Sequence, residues 1–377
     1  MRVGVHAWGA VTAAGMGVPR LLQALADPSF APRLELPRPD APPLPVAVCA
    51  DFDPKGVLPP LVARRLDRAS RLLAVAAKEA LQQAGSLPWP KEQVGVAMGT
   101  WNAGTSPLLE ILQAVFTQGP EQAPPMHFPN SVANAPASQV GILETLGGAN
   151  LTFFEKQAGG LRAIAEAWRL VARGRVAAML AGGVDEAQWL NAEAFHRLGA
   201  LARPGRPGFT LGEGAVALLL APGGAVTLAG AGAASLPCPP HLYPPRPDAL
   251  LLACQKALRE AGLAPQEVEL WVSLANGHPQ LASLELQLLE ALFPRHRPQV
   301  LAPLTTRLGE GAFASALRVG VAAAVLASQV LPAWPLPPHL ETAGYEPARG
   351  AVRTALLAAQ AGGGSAVALV LVRQQTA

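Results

Sequence analysis

The chain is 377 residues long, enough for one large domain, or two packed together, with a substantial core. Half of its residues are hydrophobic and only 15% are charged, a balance that excludes intrinsic disorder. A net charge of +3, from 29 Lys and Arg against 26 Asp and Glu with no basic run, gives no electrostatic footprint for nucleic acid.

The opening MRVGVHAWGAVTAAG lacks the basic start, apolar stretch and cleavage site of a signal peptide, and its first part reads as a strand over 2–7. Helical spacing predicts a helix over 65–84, followed by an apolar strand at 94–98. Further strands are expected at 151–155, 177–181 and 215–220, with a helix over 160–171. Past a Pro-Gly-Gly turn near 221–224, strands are expected at 226–229, 270–274, 300–303 and 366–372. The Pro-rich stretch 237–247 is expected to be a surface loop. The most apolar late segment, 312–331, is Ala-rich and carries Arg318, so it reads as a buried helix, over 312–330, and not as a membrane span. Cys49, Cys238 and Cys254 have neither metal-site nor disulfide spacing, which suits a reducing, cytoplasmic setting without a metal or other cofactor.

One stretch occurs twice in related form. Residues 74–98 read AVAAKEALQQAGSLPWPKEQVGVAM, and residues 251–274 read LLACQKALREAGLAPQEVELWVSL. Both hold A-L-x-x-A-G, which sets Leu81 against Leu258 and Gly85 against Gly262. In each copy helical spacing ends on a Gly suited to a left-handed cap, and a Pro-containing loop leads into an apolar strand. Strands that are apolar almost throughout, alternating with helices, imply sheets covered on both faces. Two copies imply a duplicated α/β fold with halves at 1–222 and 223–377.

Several segments together resemble the β-ketoacyl synthase family along nearly the whole chain. They are Gly9-Ala-Val-Thr with Gly15, Phe52-Asp53-Pro54, RRLDR over 64–68, Phe128-Pro129-Asn130-Ser131 with Asn134, MLAGG over 179–183 and GFTLGEG over 208–214. The resemblance implies a thiolase-like fold of five layers, α-β-α-β-α, with two mixed sheets. In condensing members a sharp strand–turn–helix presents a Cys thiolate at a helix N-terminus, and His residues support decarboxylation. Here the match runs without gaps from Gly148 through Gly160 and puts Gln157 on the nucleophile position. The family's Lys and second His are expected at Thr306 and Gly311, its first His at Leu274, Ala275 or Asn276, and its gating Phe at Ala361. His278, a few residues late, reads as a solvated loop histidine. The resemblance therefore implies that no catalytic set is intact.

The string QAGGL over 157–161, with Arg173-Gly174 and GGVD over 182–185, is similar to the chain-length factors, the Gln-bearing partners of Cys-bearing ketosynthases. This likeness implies a heterodimer (or a homodimer) that works on an acyl carrier protein. It also implies an interface and acyl tunnel drawn from Phe116, Met126, His127, Phe128, Asn130, Val132 and Asn134. Apolar residues among these would bury area at an interface whether or not they limit chain length. Two other readings stay open: a malonyl-carrier-protein decarboxylase using Gln157, and a homodimeric, non-catalytic acyl-binding or scaffold protein.

Overall fold

The structure is a computed structural model that describes residues 1–328 and 334–374. The main sheet takes five strands along its path from the first part of the chain, β1 (Val3–Thr12), β2 (Val94–Gly99), β3 (Asn150–Phe153), β4 (Ala178–Asp185) and β5 (Gly214–Pro222), with the short Gly15–Met16 pairing on β1. Five more follow: β6 (Val226–Ser235), β7 (Leu270–Val272), β8 (Gln299–Leu301), β9 (Thr354–Gln360) and β10 (Ser365–Arg373). The first set runs in the order β3-β2-β4-β5-β1 and the second in the order β8-β7-β9-β10-β6, so the two share one topology. In each, the first, fifth and fourth strands pair antiparallel, while the fourth, second and third pair parallel. β1 and β6 also pair briefly, Val3 with Leu228 and Gly4 with Thr227, which joins the two mixed sheets at one corner.

Six helices build the layers: α1 (Arg68–Ala84), α2 (Ala135–Glu144), α3 (Gly159–Ala172), α4 (Asp248–Ala261), α5 (Pro279–Leu292) and α6 (Ala312–Ser328). α1 covers the outer face of the first sheet and α4 that of the second, while α3 and α6 pack on each other between the sheets. The result is the five-layer α-β-α-β-α arrangement. Because α6 touches sheet or helix on every side, it is apolar nearly all round, with Ser315 and Arg318 as its buried polar exceptions. The two repeated Gly residues end α1 and α4 as the spacing predicts: φ is 71° at Gly85 and 68° at Gly262, a region that disfavours a Cβ.

The differences from expectation have local causes. β9 reads TALLAAQ, a run of helix formers, yet it is a strand because it inserts between β7 and β10. α5 goes unpredicted although Pro279 opens it and Leu281, Leu284, Leu288 and Leu292 repeat at helical spacing. α6 is described to Ser328, and residues 329–331 of the expected helix lie outside the described residues. A small sheet of Leu34–Arg38, Ala41–Ala47 and Leu211–Gly212 lies apart from the main layers. No helix among the described residues is long and apolar enough to cross a membrane.

Candidate functional site

β3 sits at the edge of the first sheet, and the chain turns sharply from it into α3. The turn forces Lys156 to φ 48°, a left-handed conformation that a non-Gly residue adopts at a cost of roughly 1 kcal/mol or more. Its ammonium holds the turn in place, with Nζ donating to the carbonyls of Pro240 at 2.6 Å and Gly362 at 3.0 Å. Burial lowers the Lys156 pKa. Gln157 follows and points inward at the mouth of α3, only 4% exposed. The helix can approach the central layer so closely because Gly160 has no side chain: a Cβ there would lie 2.2 Å from the Ala312 carbonyl oxygen.

The Gln157 amide is committed at both ends. Its Nε2 donates to Tyr243 Oη at 3.2 Å, and its Oε1 accepts from the Gly362 N–H at 3.2 Å. Tyr243 Oη also accepts from Asn276 Nδ2 at 2.9 Å, and the same amide donates to Glu310 Oε2 at 2.9 Å. Glu310 Oε1 accepts from the Gly311 N–H at 3.1 Å. Burial, followed by the charge of Glu310, pushes the Tyr243 pKa up and keeps the phenol neutral. Burial also raises the Glu310 pKa, opposed mainly by the charge of Arg318. That guanidinium is itself buried in α6 and donates to the Ala358 carbonyl at 2.9 Å. A closed polar chain, Gln157–Tyr243–Asn276–Glu310, thus fills the space in front of the turn.

Other expected residues lie elsewhere. Thr306 is exposed and its hydroxyl donates to Pro303. Its neighbour Thr305 is the buried one, donating to the Ala275 carbonyl at 2.7 Å beside Asn276. Gly311 adds only backbone, and a Cβ there would meet Asp185 Oδ2 at 2.7 Å, so the side chain that enters the site is Glu310. Ala361 is buried with its N–H on Ser365, and Gly362 is the residue that reaches Gln157. His278 is no solvated loop residue: it is half-buried, it caps α5 by accepting from the Gln280 N–H, and its ring meets that of Tyr243 at 5.3 Å. The stretch 237–247 is likewise more than a surface loop, because Tyr243 at its centre is 4% exposed. Only Gln157 and, among three alternatives, Asn276 belong to both the expected and the observed site.

Tyr243 and Glu310 escape sequence reasoning. A signal for Glu310 exists: it is an acid between two glycines on the threshold of a largely apolar helix whose one charged residue is Arg318, so a buried acid there demands a partner. The cysteines are not placed for nucleophilic work. Burial raises the thiol pKa of Cys49 well above its ordinary value and pushes Cys254 up to about 12, and the half-buried Cys238 lies in a loop with its thiol on the Leu242 carbonyl. Among the described residues no group of three His, Cys, Asp or Glu is arranged to hold a metal.

The expected interface residues lie together on one flank. Phe116 is 82% exposed, and Met126, Phe128 and Val132 are exposed as well. Asn134 is exposed, His127 is half-exposed and pairs with Glu110, and Asn130 is buried, donating to the Arg65 carbonyl. The helix Thr105–Gln118 that carries Phe116 buries only Pro107.

Comparison with known proteins agrees with this architecture. Residues 44–223 match the model of the β-ketoacyl synthase N-terminal domain. The 3-oxoacyl-[acyl-carrier-protein] synthase 2 of Coxiella burnetii is 28% identical over 327 residues, 78% of either chain. Among solved structures, the ishigamide ketosynthase/chain length factor superposes with a TM-score of 0.86 at 20% identity, covering 99% of both chains. A ketosynthase in complex with its chain length factor from Xenorhabdus doucetiae gives a TM-score of 0.80 at 20% identity, over 99% of this chain and 98% of that one.

Proposed function

This chain belongs to the β-ketoacyl synthase family, and we propose that within it the chain is a catalytically inactive subunit of chain-length-factor type. In this reading it pairs with a Cys-bearing ketosynthase of fatty-acid or polyketide synthesis, shapes the acyl tunnel of the pair, and meets an acyl carrier protein there. The observation that carries the reading is Gln157 at the strand–turn–helix, with its amide spent on Tyr243 and Gly362. An amide does not attack a thioester. A condensing site must also stabilise negative charge on a thioester oxygen, whereas the acid nearest this network is the carboxyl of Glu310. We place the family's vacated Lys and His positions at Thr305 and Glu310, one residue earlier than Thr306 and Gly311, because those side chains face the site. Residues 1–222 and 223–377 are its two halves, each with the same strand order.

Two features support the pairing. β3 is an outermost strand, and beside it the apolar side chains of Ile142 and Phe154 are 69% and 61% exposed. Together with Phe116, Met126 and Phe128 they make an apolar flank that favours a partner over water. A decarboxylase is less favoured, because an enolate could reach the Gln157 amide only by displacing Tyr243, to which that amide already donates.

Co-expression with a Cys-bearing ketosynthase from the same genome tests the reading. A stable pair is expected, which condenses acyl and malonyl carrier proteins while this chain alone does not. Phe116→Ala in the pair is expected to lengthen the products. A homodimer that captures no ketosynthase would point to a scaffold, and carbon dioxide release from malonyl carrier protein by this chain alone would point to a decarboxylase.

A further inference from the structure

We propose that Tyr243 is a built-in plug: it closes the approach to Gln157 of this chain to any acyl or thioester arm, so that in a pair only the partner's site can be loaded. The second clause rests on the subunit reading above, whereas the plug itself rests on geometry alone. The loop that carries Tyr243 is laced to the turn before β10. Leu236 N donates to Gly364 at 3.0 Å, Cys238 N to Gly363 at 3.3 Å, and Gly363 N to Leu242 at 3.0 Å. Lys156 adds a further attachment, bridging Pro240 and Gly362 from the opposite half of the molecule.

From this laced loop the phenol drops inward and is held at three levels. Gln280 grips its backbone, with Nε2 on the Tyr243 carbonyl at 2.7 Å and Oε1 accepting from its N–H at 3.3 Å. His278 packs against the ring. Gln157 and Asn276 both donate to the hydroxyl, and Glu310 fixes Asn276 in turn. An arm that reached residue 157 would have to displace the ring and strand these donors in a buried site. Closure therefore comes from the loop and not from the bulk of Gln157. A reactive group placed at position 157 would stay shielded.

The test introduces a thiol by Gln157→Cys, alone and combined with Tyr243→Ala or Tyr243→Phe. Alkylation by iodoacetamide is followed peptide by peptide by mass spectrometry. In the folded single variant the introduced thiol is expected to react roughly 100-fold more slowly than in urea, in step with the buried Cys254. Adding Tyr243→Ala should raise its rate about tenfold or more while Cys254 stays protected; Tyr243→Phe, which keeps the ring, should retain most of the shielding. Labelling of the single variant as fast as in urea would overturn the plug, as would a Tyr243→Ala variant no faster than its parent. If Tyr243→Ala also exposes Cys254, the single variant against its urea rate decides alone. None of these outcomes depends on pair formation, so a failed plug and a failed subunit reading are distinguishable.

Discussion

Two buried carboxylates on this scaffold are held in different ways. Glu310 has a partner at each oxygen and the charge of Arg318 within reach. Glu186, 1% exposed, accepts from the Ser106 N–H at 2.9 Å through Oε1, but its Oε2 has no partner among the described residues. Burial, with smaller contributions from the charges of Asp67 and Glu213, pushes its pKa up to about 7. A raised carboxyl pKa means that the folded state holds a proton the unfolded chain has already released. Stability therefore falls as pH rises from about 5 to 8, on the order of 2 kcal/mol from this group. Asp185, pushed up to about 6 by burial, adds to the same slope at its lower end. Thermal melts of Glu186→Gln across this range should show a flatter profile and a higher Tm than the parent at pH 8. An unchanged slope would mean that Glu186 is ionised in the folded protein.

Among the elements, the crossing of α3 with α6 is the most exacting, because both helices lie between two sheets and neither can retreat. Gly160 is where they touch, and a methyl group there has no room against the Ala312 carbonyl and Ser315 Oγ. Gly160→Ala would raise intrinsic helix propensity and is nonetheless expected to destabilise by roughly 2–4 kcal/mol through overpacking. Urea unfolding measures the loss, and a stabilised variant would show that the layers can part. The contrast with Gly85, where a Cβ would meet nothing, separates a glycine kept for close approach from one kept for its positive φ. Periodicity finds α3 and most of α6 because their apolar faces repeat, but it cannot say which residue of each makes the crossing.

At the scale of the whole molecule, the candidate site exists only because the two strand sets close on each other. Gln157 and Lys156 come from the first, while Tyr243, Asn276, Glu310 and Gly362 come from four separate segments of the second. The exposed apolar residues beside β3 come instead from the first strand set alone, where α2 touches β3 and both α2 and the helix Thr105–Gln118 touch the turn Phe128–Asn130. Ile142→Asp with Phe154→Asp should weaken capture of a ketosynthase about tenfold or more while leaving the melting temperature nearly unchanged, since both side chains are exposed. Analytical ultracentrifugation of the mixture and thermal melts of the chain alone would check this; undiminished association would move the interface elsewhere.

The sequence by itself determined the alternation of helix and strand, the duplicated A-L-x-x-A-G unit and its glycine caps, and the presence of Gln157 at a strand–turn–helix. These are local properties, written in spacing and in residues a few positions apart. Only the tertiary structure decided that β9 is a strand, that Thr305 and Glu310 face the site while Thr306 and Gly311 do not, and that Tyr243 descends from a Pro-rich loop onto Gln157. A one-residue slip along an irregular segment leaves spacing and composition unchanged yet turns a side chain from solvent to core. What fixes the direction is packing against residues tens of positions away: Thr305 on Ala275, Glu310 on Asn276, and Tyr243 on Gln157.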